Sequence, residues 1–455
     1  MKAFYKKILL LTIMVGAASV MALSMSPSID ASGSEDFDQD SYSTTDYFDT
    51  RINVTLYHNN SNEINRIKDD IDDILRNVHR QATRYEDDHN DVSIKTINNN
   101  PGVWHDIDDT LYDLLVQSID YYEETDAYFD ISIGPIIDIW DDYRDQCLND
   151  EICEVPSDEE LDDATQHTGI DRIELDHDNQ RVRIEEGMSI DLGGVGKGYA
   201  AKQVGDYLKG EDEIKRFLIN AGTSNIEVGG EHPMRESGYW HVGLTDPKYH
   251  FVGRSFASVR LTDGQNITTS GDYQRYYMAD GERMHHLIDP NTNRPTDHHR
   301  SVSLISGDGA LGDVLVTAIF LMDLEKGLDY VNNRDDLDAI WYIDGGPDAH
   351  HKFPEEGKGA YVQSDDVTLV MSEGFDENYL REVNFEIVES GTLDPNGDDN
   401  GSNPGDNIDE NPNDDAPGDG MNDMTIILMS IGIPALLVIV GGGGYAIYIH
   451  KFKKQ

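Results

Sequence analysis

"SIDLGGVGKGYAAKQV", residues 189 to 204, sets Gly193, Gly194, Gly196 and Lys197 between an aspartate and a helical pattern. A phosphate-binding P-loop needs GxxxxGK followed by Ser or Thr, because the hydroxyl ligates Mg²⁺ while the first glycine lets the loop wrap the phosphates. Here Asp191 stands five positions before Gly196, and Gly198 follows Lys197, so both requirements fail. The GxGxxG order of a dinucleotide fold is also missing. What remains is a strand ending at Asp191, a glycine turn and a helix starting near Lys197. The exposed amides of such a helix favour an anion, and the glycines let carbonyls approach a ligand or a cation. A plain strand-to-helix turn is the alternative.

Three further stretches carry chemistry. In "GALGDVLVTAIFLM" (309–322) Asp313 and Thr317 lie four apart in an apolar run, which on a helix puts both oxygens on one face. A carboxylate and a hydroxyl in apolar surroundings suit a hard cation such as Mg²⁺. Equally, Asp313 could cap the helix and Thr317 bond back to its carbonyl. "HHLIDPNTNRP" (285–295) joins imidazoles to a carboxylate and a turn, and "TDAYFDISIGPIIDIW" (125–140) leads aromatics and an aspartate into Gly134 and Pro135. By itself the latter reads as a buried turn.

Around these stretches the hydrophobic pattern mixes both periods. Ile52, Val54 and Leu56 alternate as in a strand, while Ile64, Ile67, Ile71, Ile74, Leu75 and Val78 recur at helical spacing over 62–80. Residues 109–122 and 197–208 also read as helices. "RVRIEE", "RFLIN", "YWHVGLT", "SFASVRL", "SVSLIS" and "AIWYID" read as strands. Short turns join strands that outnumber helices in the second half, so the pattern predicts an α+β body over 47–388 rather than a doubly wound parallel sheet.

The ends and the charge place that body. The 455 residues carry 35 Lys+Arg against 88 Asp+Glu, a formal net charge of -53. Such an excess opposes binding to nucleic acid or anionic lipid through bulk charge, and it fits life at high salt or high pH. Residues 1–30 have the basic start, apolar middle and small residues of a secretory signal. Residues 31–46 read as an acidic linker. Residues 389–423 hold eleven acidic and no basic side chains, too little apolar surface to offset chain entropy, and read as a disordered stalk. The span 424–450 opens with 26 uncharged positions and precedes the basic tail 451–455. It is expected to be a transmembrane helix with a cytoplasmic tail, leaving the body extracytoplasmic at the cell membrane; a buried core helix is the alternative. Cys147 and Cys153, the two cysteines of the chain, are expected to form a disulfide outside the cell, with free thiols the alternative.

Seven ordered stretches together resemble the FAD:protein FMN transferases, the ApbE-like flavin transferases: "YFDTRINVTLY", "RYEDDHNDVSIKTINNN", "TDAYFDISIGPIIDIW", "IDLGGVGKGYAAKQV", "TSGDYQRYY", "HHLIDPNTNRP" and "GDVLVTAIFLM". The resemblance covers about residues 47–375 and implies a single large T-fold-related domain. It also implies that Mg²⁺ assists transfer of the FMN part of FAD to a Thr or Ser hydroxyl of a target protein, with release of AMP. Carried over by motif, Gly194, Asp313 and Thr317 would hold the metal. Phe48, Tyr85, Tyr128, Phe129, Asp130, Asp191, Lys197 and Leu287 would contact FAD, and His286 would be the base. Departures are Phe48 where Met is frequent, Asn293 for Gly, Ile131 and Ser132 for Pro-Thr, and Gly312 for Ala. Rival readings are an extracytoplasmic FAD pyrophosphate hydrolase and a non-catalytic flavin-binding protein. A zinc site at His285, His286, His298 and His299 is disfavoured, because sequence neighbours rarely point at one ion. The expected acceptor is an exported or membrane-bound redox protein.

Overall fold

The computed structural model describes residues 37–85, 92–222, 224–354 and 357–393. The expected signal segment, transmembrane helix, basic tail and all but the first residues of the acidic stalk lie outside the described residues. Among the described residues no helix is long and apolar enough to cross a membrane.

Ten antiparallel strands form the central sheet: β1 (Asp38–Thr44), β2 (Ile52–His58), β3 (Ile214–Ala221), β4 (Asn225–Gly229), β5 (Asn266–Gly271), β6 (Ser301–Ser306), β7 (Asp338–Asp344), β8 (Ala360–Gln363), β9 (Val367–Met371) and β10 (Glu389–Thr392), in the order β1-β2-β3-β4-β5-β6-β7-β9-β8-β10. The register of β2 on β3 pairs Ile52 with Ala221, Val54 with Ile219 and Leu56 with Phe217. The alternating apolar set of β2 is thereby delivered to the core. Antiparallel pairing throughout agrees with the expected α+β class.

Six helices matter for the site: α1 (Ile64–Ala82), α2 (Asp109–Glu124), α3 (Gly134–Asp150), α4 (Gly196–Gly210), α5 (Gly309–Leu321) and α6 (Leu324–Asn332). Helix α4 packs on β3 and β4, α5 packs on β5 and β6, and α1 packs against α4. The α4 and α5 backbones meet closely because α4 opens with small residues. A Cβ added at Gly198 would lie 2.2 Å from the Gly309 carbonyl oxygen and 2.8 Å from Cγ of Asp313. Asp308 caps α5 through the amides of Ala310 and Leu311, so Asp313 is not the cap residue. A smaller antiparallel sheet of residues 240–245, 255–261 and 380–383 is tied to the large one by Trp240 on Tyr57 and Phe256 on Tyr342.

Several expectations are corrected. Within the linker read over 31–46, Asp38–Thr44 is an edge strand, because this stretch pairs with β2 and Asp40 finds cationic partners. Asp40 meets Lys68 and His58, which lower its pKa, and the Tyr42 hydroxyl donates to Asp72 at 2.6 Å. At the other end, Glu389–Thr392, read as the start of the stalk, closes the sheet as β10 against β8. Residues 188–192 join no strand ladder, so the strand read as ending at Asp191 does not form. The turn read in 125–140 holds Asp126 and Ala127 at φ 51° and 64° and then becomes helix α3, with Pro135 in its first turn. The disulfide expected between Cys147 and Cys153, by contrast, is present.

Candidate active site

The glycine turn, the first turn of α4, the face of α5 that carries Asp313, Val316, Thr317 and Leu321, the segment before α3 and the strands around 269–288 enclose a cleft of about 520 Å³. All twelve residues singled out from the sequence line it: Phe48, Tyr85, Tyr128, Phe129, Asp130, Asp191, Gly194, Lys197, His286, Leu287, Asp313 and Thr317. They span 270 positions of sequence, and the α4–α5 contact brings the glycine turn against the Asp313 helix.

Asp313 is buried and held from two sides. Its Oδ2 accepts the Gly198 amide at 2.7 Å, and its Oδ1 accepts Nδ2 of Asn225 at 3.0 Å. Burial pushes its pKa up, while Lys197, Asn225 and Gly198 favour the charged form. Thr317 Oγ1 donates to the Asp313 carbonyl at 3.0 Å and lies 3.4 Å from Ser270 Oγ. The back-bond read as an alternative is therefore real, yet it uses the hydroxyl proton and leaves the oxygen lone pairs for a cation. Each Asp313 oxygen likewise accepts one hydrogen bond among the described residues and keeps further acceptor capacity. Among the described residues no three His, Cys, Asp or Glu side chains gather into a metal cage. One carboxylate with a hydroxyl and a backbone carbonyl from Gly194 is a sparse, all-oxygen set. It fits a hard cation that keeps waters and substrate phosphates in its shell.

His286 lines the same cleft. Its amide donates to the Arg275 carbonyl at 3.0 Å, and its Nδ1 is buried with no partner among the described residues. Burial, then the nearby Arg275, His285 and Lys197, push the imidazole down to about 3, so the free ring is neutral over the physiological range. The Lys197 ammonium makes no hydrogen bond or ion pair among the described residues, although its charge reaches both Asp313 and His286. His285 and His299 are held by backbone groups. His285 Nδ1 accepts the Leu287 amide at 3.2 Å and its Nε2 donates to the Thr296 carbonyl at 2.7 Å; His299 Nε2 donates to the Met322 carbonyl at 3.0 Å.

The remaining wall is aromatic and acidic. Phe48 sits at φ 57° beside His79, its amide donating to His79 Nδ1 at 3.2 Å. Phe129 lies under Gly194, where a Cβ would come within 3.1 Å of its ring. Tyr128 lies beneath the Lys326 ammonium, 4.6 Å from the ring centre. Asp130 accepts the Ser132 amide at 2.7 Å, and burial raises its pKa. Tyr85 is 60% exposed and bonds Asp141 at 3.2 Å. Two polar partners were missed in the sequence, Arg84 beside Asp191 and Asn225 beside Asp313. Both reach partners about a hundred positions away, and no local spacing signals such a pair.

The sequence model described as "ApbE family" matches residues 48–341. A Klebsiella pneumoniae (strain 342) protein named FAD:protein FMN transferase is 33% identical over 219 residues, 48% of this chain and 63% of that relative. A Haemophilus influenzae protein of the same name is 24% identical over 283 residues, 60% of this chain and 77% of that relative. The chain thus spans less than two thirds of the first relative's length. Among solved structures, the ApbE protein of Thermotoga maritima superposes with TM-score 0.57 at 27% identity, covering 67% of this chain and 94% of its own. The apo flavinyl transferase ApbE of Pseudomonas stutzeri gives 0.60 at 21%, covering 77% and 98%; at that identity the likeness speaks for the fold alone. With a family match over well over half of the chain and the motif residues gathered in one cleft, the chain belongs to the ApbE family.

Proposed function

We propose that the chain is an FAD:protein FMN transferase, which moves the FMN moiety of FAD to a Thr or Ser hydroxyl of a target protein and releases AMP. The observation that carries the reading is the meeting of Asp313, Thr317 and the Gly194 turn with Lys197 and His286 in one cleft. Lys197 and Arg275 bring positive charge into that cleft beside Asp49, Asp130, Asp141, Asp191 and Asp313, and would meet an anionic pyrophosphate.

In the reaction the acceptor oxygen forms a bond to the phosphorus of the FMN half while the bond from that phosphorus to the bridging oxygen breaks. AMP leaves with that oxygen. The acceptor proton goes to His286. With Nδ1 buried and unpartnered, Nε2 is the nitrogen left to take it. The imidazole is neutral and therefore ready to accept, and an entering pyrophosphate offsets the Arg275 and Lys197 charges that depress its basicity. Mg²⁺ held by Gly194, Asp313 and Thr317 would neutralise charge on the pyrophosphate oxygens. Lys197 adds a second positive charge at the helix start, and Phe48, Tyr85, Tyr128, Phe129, Asp130, Asp191 and Leu287 shape the walls against FAD.

The terminal segments support a membrane-held enzyme with its catalytic body extracytoplasmic, facing exported or membrane-bound redox proteins. Full-length protein in detergent, given FAD and Mg²⁺, should release AMP in proportion to added acceptor. Equal yields of AMP and free FMN without acceptor would instead make it a hydrolase.

A further inference from the structure

Arg84 is a buried cation that the mechanism above does not use. Its side chain is 8% exposed and bridges two carboxylates, pairing with Asp191 at 2.8 Å through Nη1 and with Asp138 of α3 through Nη2. Asp191 is engaged on every side. Its Oδ2 takes Arg84, its Oδ1 takes the Gly193 amide at 2.6 Å, and its own amide donates to the Ile131 carbonyl at 2.9 Å. A Cβ at Gly193 would lie 2.9 Å from that Oδ1, so the turn is closed around the carboxylate. One guanidinium thus joins the end of α1, the body of α3 and the turn that carries Gly194. Removing it would leave the largely buried Asp191 unpaired in the wall of the cleft, with Asp138 behind it, and burial already raises the pKa of Asp138 against the opposing pull of Arg84.

We infer that Arg84 is a positioning residue: through Asp191 it fixes the glycine turn for FAD and cancels the negative charge that would otherwise face the pyrophosphate. The inference rests on the functional reading above. Its planar fork matches two carboxylates at once, which a lysine does only in part. Two effects follow from one side chain, and they separate in a double-variant cycle because Asp191→Asn removes the repulsion while leaving the turn unclasped.

The test is FAD titration by flavin fluorescence, on full-length protein in detergent without added metal, for wild type, Arg84→Gln, Arg84→Lys, Asp191→Asn and Arg84→Gln/Asp191→Asn. Arg84→Gln is expected to weaken FAD binding at least about tenfold, Arg84→Lys by less, and the double variant to bind more tightly than Arg84→Gln. Melting curves report fold integrity in parallel. Should Arg84→Gln not fold, the order wild type, Arg84→Lys, Arg84→Lys/Asp191→Asn carries the same comparison. Wild type that binds FAD with Arg84→Gln binding equally well, or with losses that simply add in the double variant, overturns the inference alone. Wild type that binds no FAD overturns the functional reading and the inference with it.

Discussion

The carboxylate of Asp313 accepts the backbone N–H of Gly198 at 2.7 Å, so the helix bearing the candidate metal ligands is bonded one residue beyond Lys197 in the opening glycine motif. The close approach exists only because residue 198 has no side chain. Gly198→Ala places a methyl 2.2 Å from the Gly309 oxygen. It is expected to cost about 1–3 kcal/mol of stability by overpacking and to lower activity further than the stability loss explains. Denaturant melts beside steady-state rates check both.

Asn225 points Asp313 toward the cleft. Its Nδ2 donates to Asp313 Oδ1 at 3.0 Å and to the Gly309 carbonyl at 3.1 Å, while its oxygen accepts from Asn266 at 2.8 Å. Asn225→Ala should raise the Mg²⁺ concentration for half-maximal rate by roughly 10–100-fold, the usual effect of losing a group that orients a metal ligand. Saturating Mg²⁺ should recover most of kcat. A rate that stays low at every Mg²⁺ concentration would remove this role.

His286→Ala should lower acceptor modification by about 10²–10⁴-fold, the usual contribution of a positioned base, while FAD still binds. Because burial and nearby cations hold the free imidazole down to about 3, kcat/KM should show no inflection from His286 between pH 5 and 8. An inflection near the ordinary histidine pKa that vanishes in His286→Ala would contradict the burial argument.

His299 offers a stability test away from the cleft. Burial pushes it down to about 3, so between that value and the unfolded pKa of 6.5 the unfolded chain binds one more proton than the folded chain. Stability conferred by the neutral ring is present above pH 6.5 and is lost as pH falls toward 3. The contribution is about 1.4 kcal/mol per pH unit within that window. His299→Gln should flatten the acid side of the stability curve by that slope, measured by urea melts from pH 7 to 4.5.

Much of this was legible because it is periodic or local. The spacing of Ile64, Ile67, Ile71, Leu75 and Val78 gave helix α1 within two residues of its observed ends. Asn293, standing where a Gly is usual, does adopt φ 58°, the left-handed conformation such a turn needs. Strands β1 and β10 were hidden by acidic composition, since pairing with a neighbour's backbone leaves no mark on hydropathy. Helix α3 was hidden by its Gly-Pro start, read as a turn although proline suits a first helical turn. Arg84 and Asn225 could not be found from spacing, because each is defined by a partner brought near only when the α4 segment docks.

The most direct measurement is the intact mass of an exported redox protein bearing a candidate Thr or Ser, incubated with this protein, FAD and Mg²⁺. The account predicts a gain of one FMN on that hydroxyl with one AMP released per acceptor modified, lost in Asp313→Asn and in His286→Ala. Release of AMP and free FMN with no mass gain on any acceptor would contradict it.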